Sequence, residues 1–179
     1  MDTMAKDERI EFSDNMHTGL EKCIDFLHQI GISTRNDKLP ADCFLPGLSI
    51  EAGVIIVDRD ALIYPGDILH EAGHIAIVPS WERQTLNVEA IAKRPSREAE
   101  EMMAIAWSYA ACVYIGLDPS FVFHDDGYKG GGSYIKDAFL AKQYFGLPML
   151  QWVGMTTDEK NARVLHVEPF PHMIKWLRD

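Results

Sequence analysis

Between residues 13 and 30, apolar side chains fall at Met16, Leu20, Cys23, Ile24, Leu27 and Ile30, the three-to-four spacing of one helical face, and Gly31 stops the run. Residues 1–12 are charged and expected to fray. Residues 33–47 carry Asn36-Asp37, Pro40 and Pro46-Gly47 and read as loop. The pattern then becomes β-branched at Val54-Ile55-Ile56-Val57, turns at Asp58-Arg59-Asp60, and resumes at Ala61-Leu62-Ile63-Tyr64, which predicts an antiparallel hairpin. Pro65-Gly66 and Asp67, as N-cap, open a short helix with Ile68, Leu69, Ala72, Ile75 and Ala76 as its apolar body. Pro79 disfavours helix at Val78 and should end it there. Residues 80–95 read as a loop or lid. Pro95-Ser96 opens a second helix over about 97–115, closed by Gly116 and Pro119.

Further along, Phe121-Val122-Phe123 reads as a short strand, residues 124–133 as a Gly-rich loop, and about 134–145 as a helix. The segment 171–177 reads as a last helical turn or two, and Trp152 and Trp176 as core. Together these elements predict one α+β domain over 1–179, a small antiparallel sheet packed on the short helix with a second helix beside it.

Composition adds exclusions. Apolar residues at 47% suffice for a core, and 25% charged is ordinary. A net charge of −10 disfavours a nucleic-acid or anionic-membrane binder, which concentrates Lys and Arg. Cys23, Cys43 and Cys112 are odd in number and unpaired in spacing, against both a disulfide scaffold and a Cys-based zinc site. The N-terminal residues lack the apolar core of a signal peptide, and the run from Met102 to Leu117 is short for a membrane span and contains Ser108. The expected location is cytoplasmic.

The short helix holds His70-Glu71-Ala72-Gly73-His74. Positions i and i+4 of a helix share a face, so the two imidazoles aim at one point, as a tetrahedral zinc site needs. Glu71, beside them, can act as general base on a metal-bound water. Gly73 costs a helix about 1 kcal/mol relative to Ala, so it is either simply tolerated or answers to close approach of another backbone. At this chain's His and Glu frequencies the five-residue pattern arises by chance roughly 2% of the time.

H-E-x-x-H is the zincin metallopeptidase signature, and the chain resembles that superfamily. The residues after His74, Ile75 to Ser80, do not fit the longer metzincin pattern. The gluzincin subclass instead draws a Glu from a downstream helix, and Glu98, Glu100 and Glu101 all stand in the first turns of the 97–115 helix. Glu101 shares a stripe with Ala104, Ser108, Ala111 and Cys112, small enough to pack on Ala72, Gly73 and Ala76. Glu98 lies on that face one turn earlier, while Glu100 points toward Met103 and Trp107. Glu101 therefore ranks first as third ligand, then Glu98, then Glu100; acidic residues at a helix start also complement its dipole.

The order of hairpin, His-Glu-Ala-Gly-His helix and Glu- and Ala-rich helix, over about residues 50–115, resembles the compact ImmA/IrrE-type metalloproteases. The pentapeptide is also similar to the active helix of the membrane-bound AAA metalloproteases, whose distant Asp would correspond to Asp137. His124 and Asp125 are further ligand candidates. The gluzincin likeness implies a Tyr or His donor for the oxyanion, with Tyr128 and His124, bordering the Gly-rich loop, as candidates. It also implies a sheet edge that binds extended substrate.

Other motifs are weaker. Lys129 precedes Gly130-Gly131-Gly132 rather than following it, so the loop does not fit a phosphate-binding motif and reads as a mobile cover or a plain turn. His17, His28, His166 and His172 lack a partner at ligand spacing. No serine has a nucleophile-elbow context. The expectation is a minimal zincin-like domain: a zinc-dependent hydrolase, a peptidase acting on a peptide or protein substrate through His70, His74, a downstream Glu and the base Glu71. The alternative is a non-catalytic zincin-fold metal-binding or regulatory protein. Nothing in the pattern sets an oligomeric state.

Overall fold

In the computed structural model, which describes residues 18–179, the β-branched run is the middle strand of a three-stranded sheet. The strands are β1 (Thr34–Asn36), β2 (Leu48–Glu51) and β3 (Val54–Val57), in the order β1-β3-β2. Ile55, Ile56 and Val57 are at most 1% exposed, the mark of a strand covered on both faces. The hairpin partner of β3 lies upstream, not downstream: β2 pairs antiparallel with it, Leu48 opposite Val57 and Glu51 opposite Val54. Ala52 and Gly53 form the two-residue turn with φ of 50° and 74°, the left-handed pair whose twist matches that of a hairpin. A Cβ on Gly53 would also stand 2.3 Å from the Arg83 carbonyl oxygen, so glycine is required there.

The expected strand at 61–64 does not form. Buried Asp58 folds the chain back instead: its carboxylate accepts from the backbone of Leu39 and Asp60 and from Lys38 Nζ, and its carbonyl accepts from Ala61 and Leu62. These hydrogen bonds hold its pKa below the ordinary carboxylate value despite burial. β1, within the segment read as loop, pairs parallel with β3 from Thr34 opposite Ile55, so the sheet is mixed rather than antiparallel. Three residues are too few to carry an alternation.

Among the described residues there are seven α-helices: α1 (residues 18–30), α2 (Asp67–Ala76), α3 (Val88–Ala92), α4 (Arg97–Tyr114), α5 (Gly132–Leu140), α6 (Leu147–Trp152) and α7 (Glu159–Leu165). Helix α1 buries Leu20, Cys23, Ile24 and Leu27, as its spacing predicts, and Phe26 besides, while Ile30 is half-buried; the charged stretch 1–12, Met16 and His17 lie outside the described residues. Every α4 residue from Met103 to Cys112 is buried, which makes α4 the central helix. The 80–95 segment contains α3, whose N-cap Asn87 accepts from Ala90 N at 2.7 Å. The strand expected at 121–123 is a 3-10 turn over Pro119–Phe121, started by the Asp118 carboxylate, which accepts from Ser120 N.

The C-terminal segment is an irregular strap rather than a helix. Lys175 and Ile174 donate backbone hydrogen bonds to the Met155 carbonyl. The Trp176 carbonyl accepts from the indole N–H of fully buried Trp107 at 2.9 Å. Arg178 N donates to Ala76 O at 2.9 Å, and its guanidinium donates to Ile77 O, so the strap satisfies carbonyls at the end of α2. Trp176 is half-buried against the core, but Trp152 is 91% exposed: short α6 buries only Leu150. Among the described residues no helix is long and apolar enough to cross a membrane.

Candidate metal centre

Helices α2 and α4 meet along small side chains. A Cβ on Gly73 would stand 2.9 Å from the Ala104 carbonyl oxygen and 3.0 Å from its Cα, both backbone atoms that cannot swing aside. The glycine inside α2 therefore answers to the approach of α4. Ala72, Ala76, Ala104 and Ala111 are fully buried around the contact. This seam sets the distance between the residues that each helix carries.

What it brings together is His70, His74 and Glu101. His70 Nε2 and His74 Nε2 lie 3.2 Å apart. Glu101 straddles them, Oε1 3.3 Å from His70 Nε2 and Oε2 3.5 Å from His74 Nε2. Donors about 2.0–2.2 Å from one tetrahedral centre lie ~3.3–3.6 Å from each other; the imidazole pair, and each imidazole with its nearer carboxylate oxygen, stand close to that range. One donor atom from each residue can be taken with all three within 4.8 Å of one another. The His70 and His74 side chains are 12% and 9% exposed and Glu101 is 39% exposed, so the group opens to solvent on the Glu101 side. Two imidazoles and one carboxylate are donors that a divalent cation such as zinc takes, and one side of the group is left open.

No protein-family model, curated protein or solved structure matches this chain. The function has to be read from the site.

Its electrostatics are those of a packed charge cluster. Burial, then the charge of His70, pushes His74 down to about 3, so it is neutral and a ready ligand. Burial opposes the charging of His70, but the hydrogen bond to Glu101 and the charges of Glu71, Glu101 and Asp67 outweigh it and raise its pKa. That hydrogen bond holds Glu101 down to about 2. Glu71 is pushed up to about 7, chiefly by burial, with Asp67 and Glu101 adding to the rise and His70 opposing it.

The other candidates are placed as follows. Glu98 is exposed, away from the cluster, and so are Asp125 and, on α5, Asp137. Glu100 is engaged elsewhere, accepting from Arg94 Nε at 2.5 Å and Ser96 Oγ at 2.8 Å. The Tyr128 hydroxyl lies 3.3 Å from His70 Nδ1, behind the ring relative to Nε2. His124 contacts Asp67 Oδ1 through Nε2 at 3.0 Å and stacks on Tyr64, ring centroids 3.8 Å apart, while its Nδ1 is buried without a partner. Of the remaining histidines, His28 bonds Thr34 Oγ1 and His166 closes α7 in a left-handed conformation.

Two participants are not what the sequence pattern suggested. Asp67 is the first residue of α2, with Gly66 at the N-cap and no side-chain cap; its carboxylate serves His124 instead. Ser108, read only as a small seam residue, is fully buried with its hydroxyl on the Ile105 carbonyl at 2.9 Å. The i, i+3 spacing of Asp67 and His70 is the one sequence signal that pointed to the former.

Proposed function

We propose that this chain is a zinc-dependent hydrolase of the gluzincin-like type, most simply a peptidase or amidase. The observation that carries the reading is the convergence of His70, His74 and Glu101 to within reach of one cation, with Glu71 next to the first histidine. Zinc in that position would act as a Lewis acid, polarising a carbonyl and making water more acidic. Glu71 takes the proton from the attacking water and returns it to the departing nitrogen. Burial raises the Glu71 carboxyl above the ordinary carboxylate range, which strengthens it as a proton acceptor. Glu101 and neutral His74 supply lone pairs that need no deprotonation at neutral pH. The zincin resemblance gives a Tyr or His the task of steadying the oxyanion; Tyr128 or His124 would have to leave His70 or Asp67 to do so. Strand β2, on one side of the sheet and in contact with α2, is the edge at which an extended peptide would be read.

The test is zinc content and turnover together. Protein purified without a His-tag should carry one zinc and hydrolyse members of a peptide and amide library, and Glu71→Gln should keep the zinc and lose turnover. Hydrolysis that survives Glu71→Gln rules out the mechanism. Stoichiometric zinc without hydrolysis of any library member favours the non-catalytic alternative.

A further inference from the structure

We propose that Arg97 selects the substrate: its guanidinium receives a substrate carboxylate that lies within about two residues of the scissile bond. The inference rests on the hydrolase reading above and adds a substrate class to it.

Helix α4 enters the core just beyond the donor group. Every residue from Met103 to Cys112 is buried, whereas Arg97, Glu98 and Met102 are exposed. The start of the helix is therefore a rim beside the open side of the site, where Glu101 is 39% exposed. Arg97 is the first residue of α4 and Glu101 stands four residues on, so the two share a face one turn apart, about 40° around the axis. The charge of Arg97 reaches the donors. After burial at His74, and after the His70 hydrogen bond at Glu101, this nearby cation also draws both pKa values down.

The guanidinium is left over by the fold. Of the other described arginines, Arg35, Arg59 and Arg94 pair with carboxylates, and Arg83 and Arg178 donate to backbone carbonyls. Among the described residues only Arg97 and Arg163 do neither, and Arg163 stands on α7, not on the two helices that carry the donors. The acidic neighbours of Arg97 have other duties: Glu100 is held by Arg94 and Ser96, and Glu101 straddles the two histidines. Nor does the helix gain from it, because a cation in the first turn opposes the helix dipole.

A planar guanidinium takes a carboxylate through two parallel hydrogen bonds. In a chain of net charge −10, a cation at the rim marks the place where an anionic substrate is drawn rather than repelled. One helical turn rises about 5.4 Å and an extended peptide advances about 3.3 Å per residue, so the bound carboxylate belongs to a residue next to the scissile bond or one further. Two carboxylates fit that place, a free C-terminus just past the cleaved bond and the side chain of an Asp or Glu.

The experiment measures kcat/KM of the zinc-loaded full chain on matched peptides, with mass spectrometry to identify the bond cut. One pair sets a free C-terminus against its amide, and the other sets Glu against Gln at the residues flanking that bond. Wild type should prefer the carboxylate in one pair by about 10–100-fold, the worth of a charge-assisted hydrogen bond, and the pair that shows the preference names its source. Arg97→Gln should abolish the preference, chiefly through KM. Arg97→Lys should restore part of it, and Arg97→Glu should turn the same position toward Lys over Gln. Circular dichroism and zinc content establish that each variant is folded and loaded. A variant that merely loosened α4 would slow both members of a pair alike and leave their ratio untouched. In wild type, raising salt from about 0.05 M to about 0.5 M should shrink the ratio, because an exposed pair is screened, a readout that requires no substitution. Equal rates within both pairs, a preference that survives Arg97→Gln, or one indifferent to salt would each overturn the assignment while leaving the hydrolase reading intact. A wild type that cleaves no peptide overturns the hydrolase reading and the assignment with it.

Discussion

The seam between α2 and α4 and the loop from His124 to Gly131 flank the same two histidines, yet they position side chains by opposite means. The seam uses regular backbone and missing side-chain volume: Gly73 lets the Ala104 backbone approach, and Glu101 arrives opposite His70 and His74 as a consequence of helix period. The loop uses irregular backbone and polar contacts, with left-handed residues at Tyr128, Lys129 and Gly130 and with bonds from Tyr128 to His70 and from His124 to Asp67. The first arrangement is stiff because two packed helices would have to separate to change it. The second depends on a few hydrogen bonds, each worth about 1 kcal/mol. The candidate donors His70, His74 and Glu101 sit on the stiff part, and the side chains that touch His70 and Asp67 sit on the adjustable one.

That contrast can be broken at several points. The largest effect is expected on the seam: His74→Ala or Glu101→Ala should abolish stoichiometric zinc, a loss well beyond the 10–100-fold of an outer partner, while Glu98→Ala should leave it unchanged. Metal content after gel filtration decides this, and retained zinc in Glu101→Ala would move the third ligand elsewhere.

Gly73→Ala comes next. At an ordinary helix position the change stabilises by about 1 kcal/mol, but here the new methyl meets backbone at 2.9 Å, so a net destabilisation of ~1–3 kcal/mol should appear in urea denaturation. Any stabilisation would mean that the helices can part freely.

Glu71 gives a pH test in the metal-free protein. Its folded pKa of about 7 exceeds the ordinary 4.5, so its contribution to stability is complete below pH 4.5 and is lost as pH rises toward 7. Relative to Glu71→Gln, wild type should lose on the order of 3 kcal/mol across that window and no more above it. A difference that does not change with pH would place Glu71 in solvent.

The smallest effect belongs to the loop. Asp67→Asn keeps the shape but removes the charge that faces His124, and should cost about 1 kcal/mol with little change in zinc affinity. Loss of zinc in this variant would show the loop to be as decisive as the seam.

Much of the seam was legible in the chain itself. Two histidines four apart, a glycine between alanines, and a Glu–Ala–Ser–Ala stripe all follow from one period, and α4 spans nearly the residues that its punctuation marks. The choice of Glu101 over Glu100 was legible for the same reason, since adjacent helix positions point about 100° apart. The hairpin was misplaced because its turn is Ala52-Gly53, a weak signal, while the turn at Asp58-Arg59-Asp60 does form but closes around a buried carboxylate and leads into no strand. The Asp67–His124 and His70–Tyr128 contacts join residues far apart in the chain, and local periodicity carries no information about such meetings. The strap over residues 171–179 was missed similarly, because its partners are carbonyls of α2 and an indole of α4.

That indole has an optical consequence. Trp107 is sealed from water, bonded to Trp176 and packed against Phe26, whereas Trp81 and Trp152 stand in solvent at 75% and 91% exposure. Emission from this protein should divide into a blue component that iodide cannot quench and a red one that it can. Because Trp107 lies six residues beyond Glu101 on the same helix, any loosening of that helix would turn blue light red, and the chain carries its own gauge of the frame that supports the site.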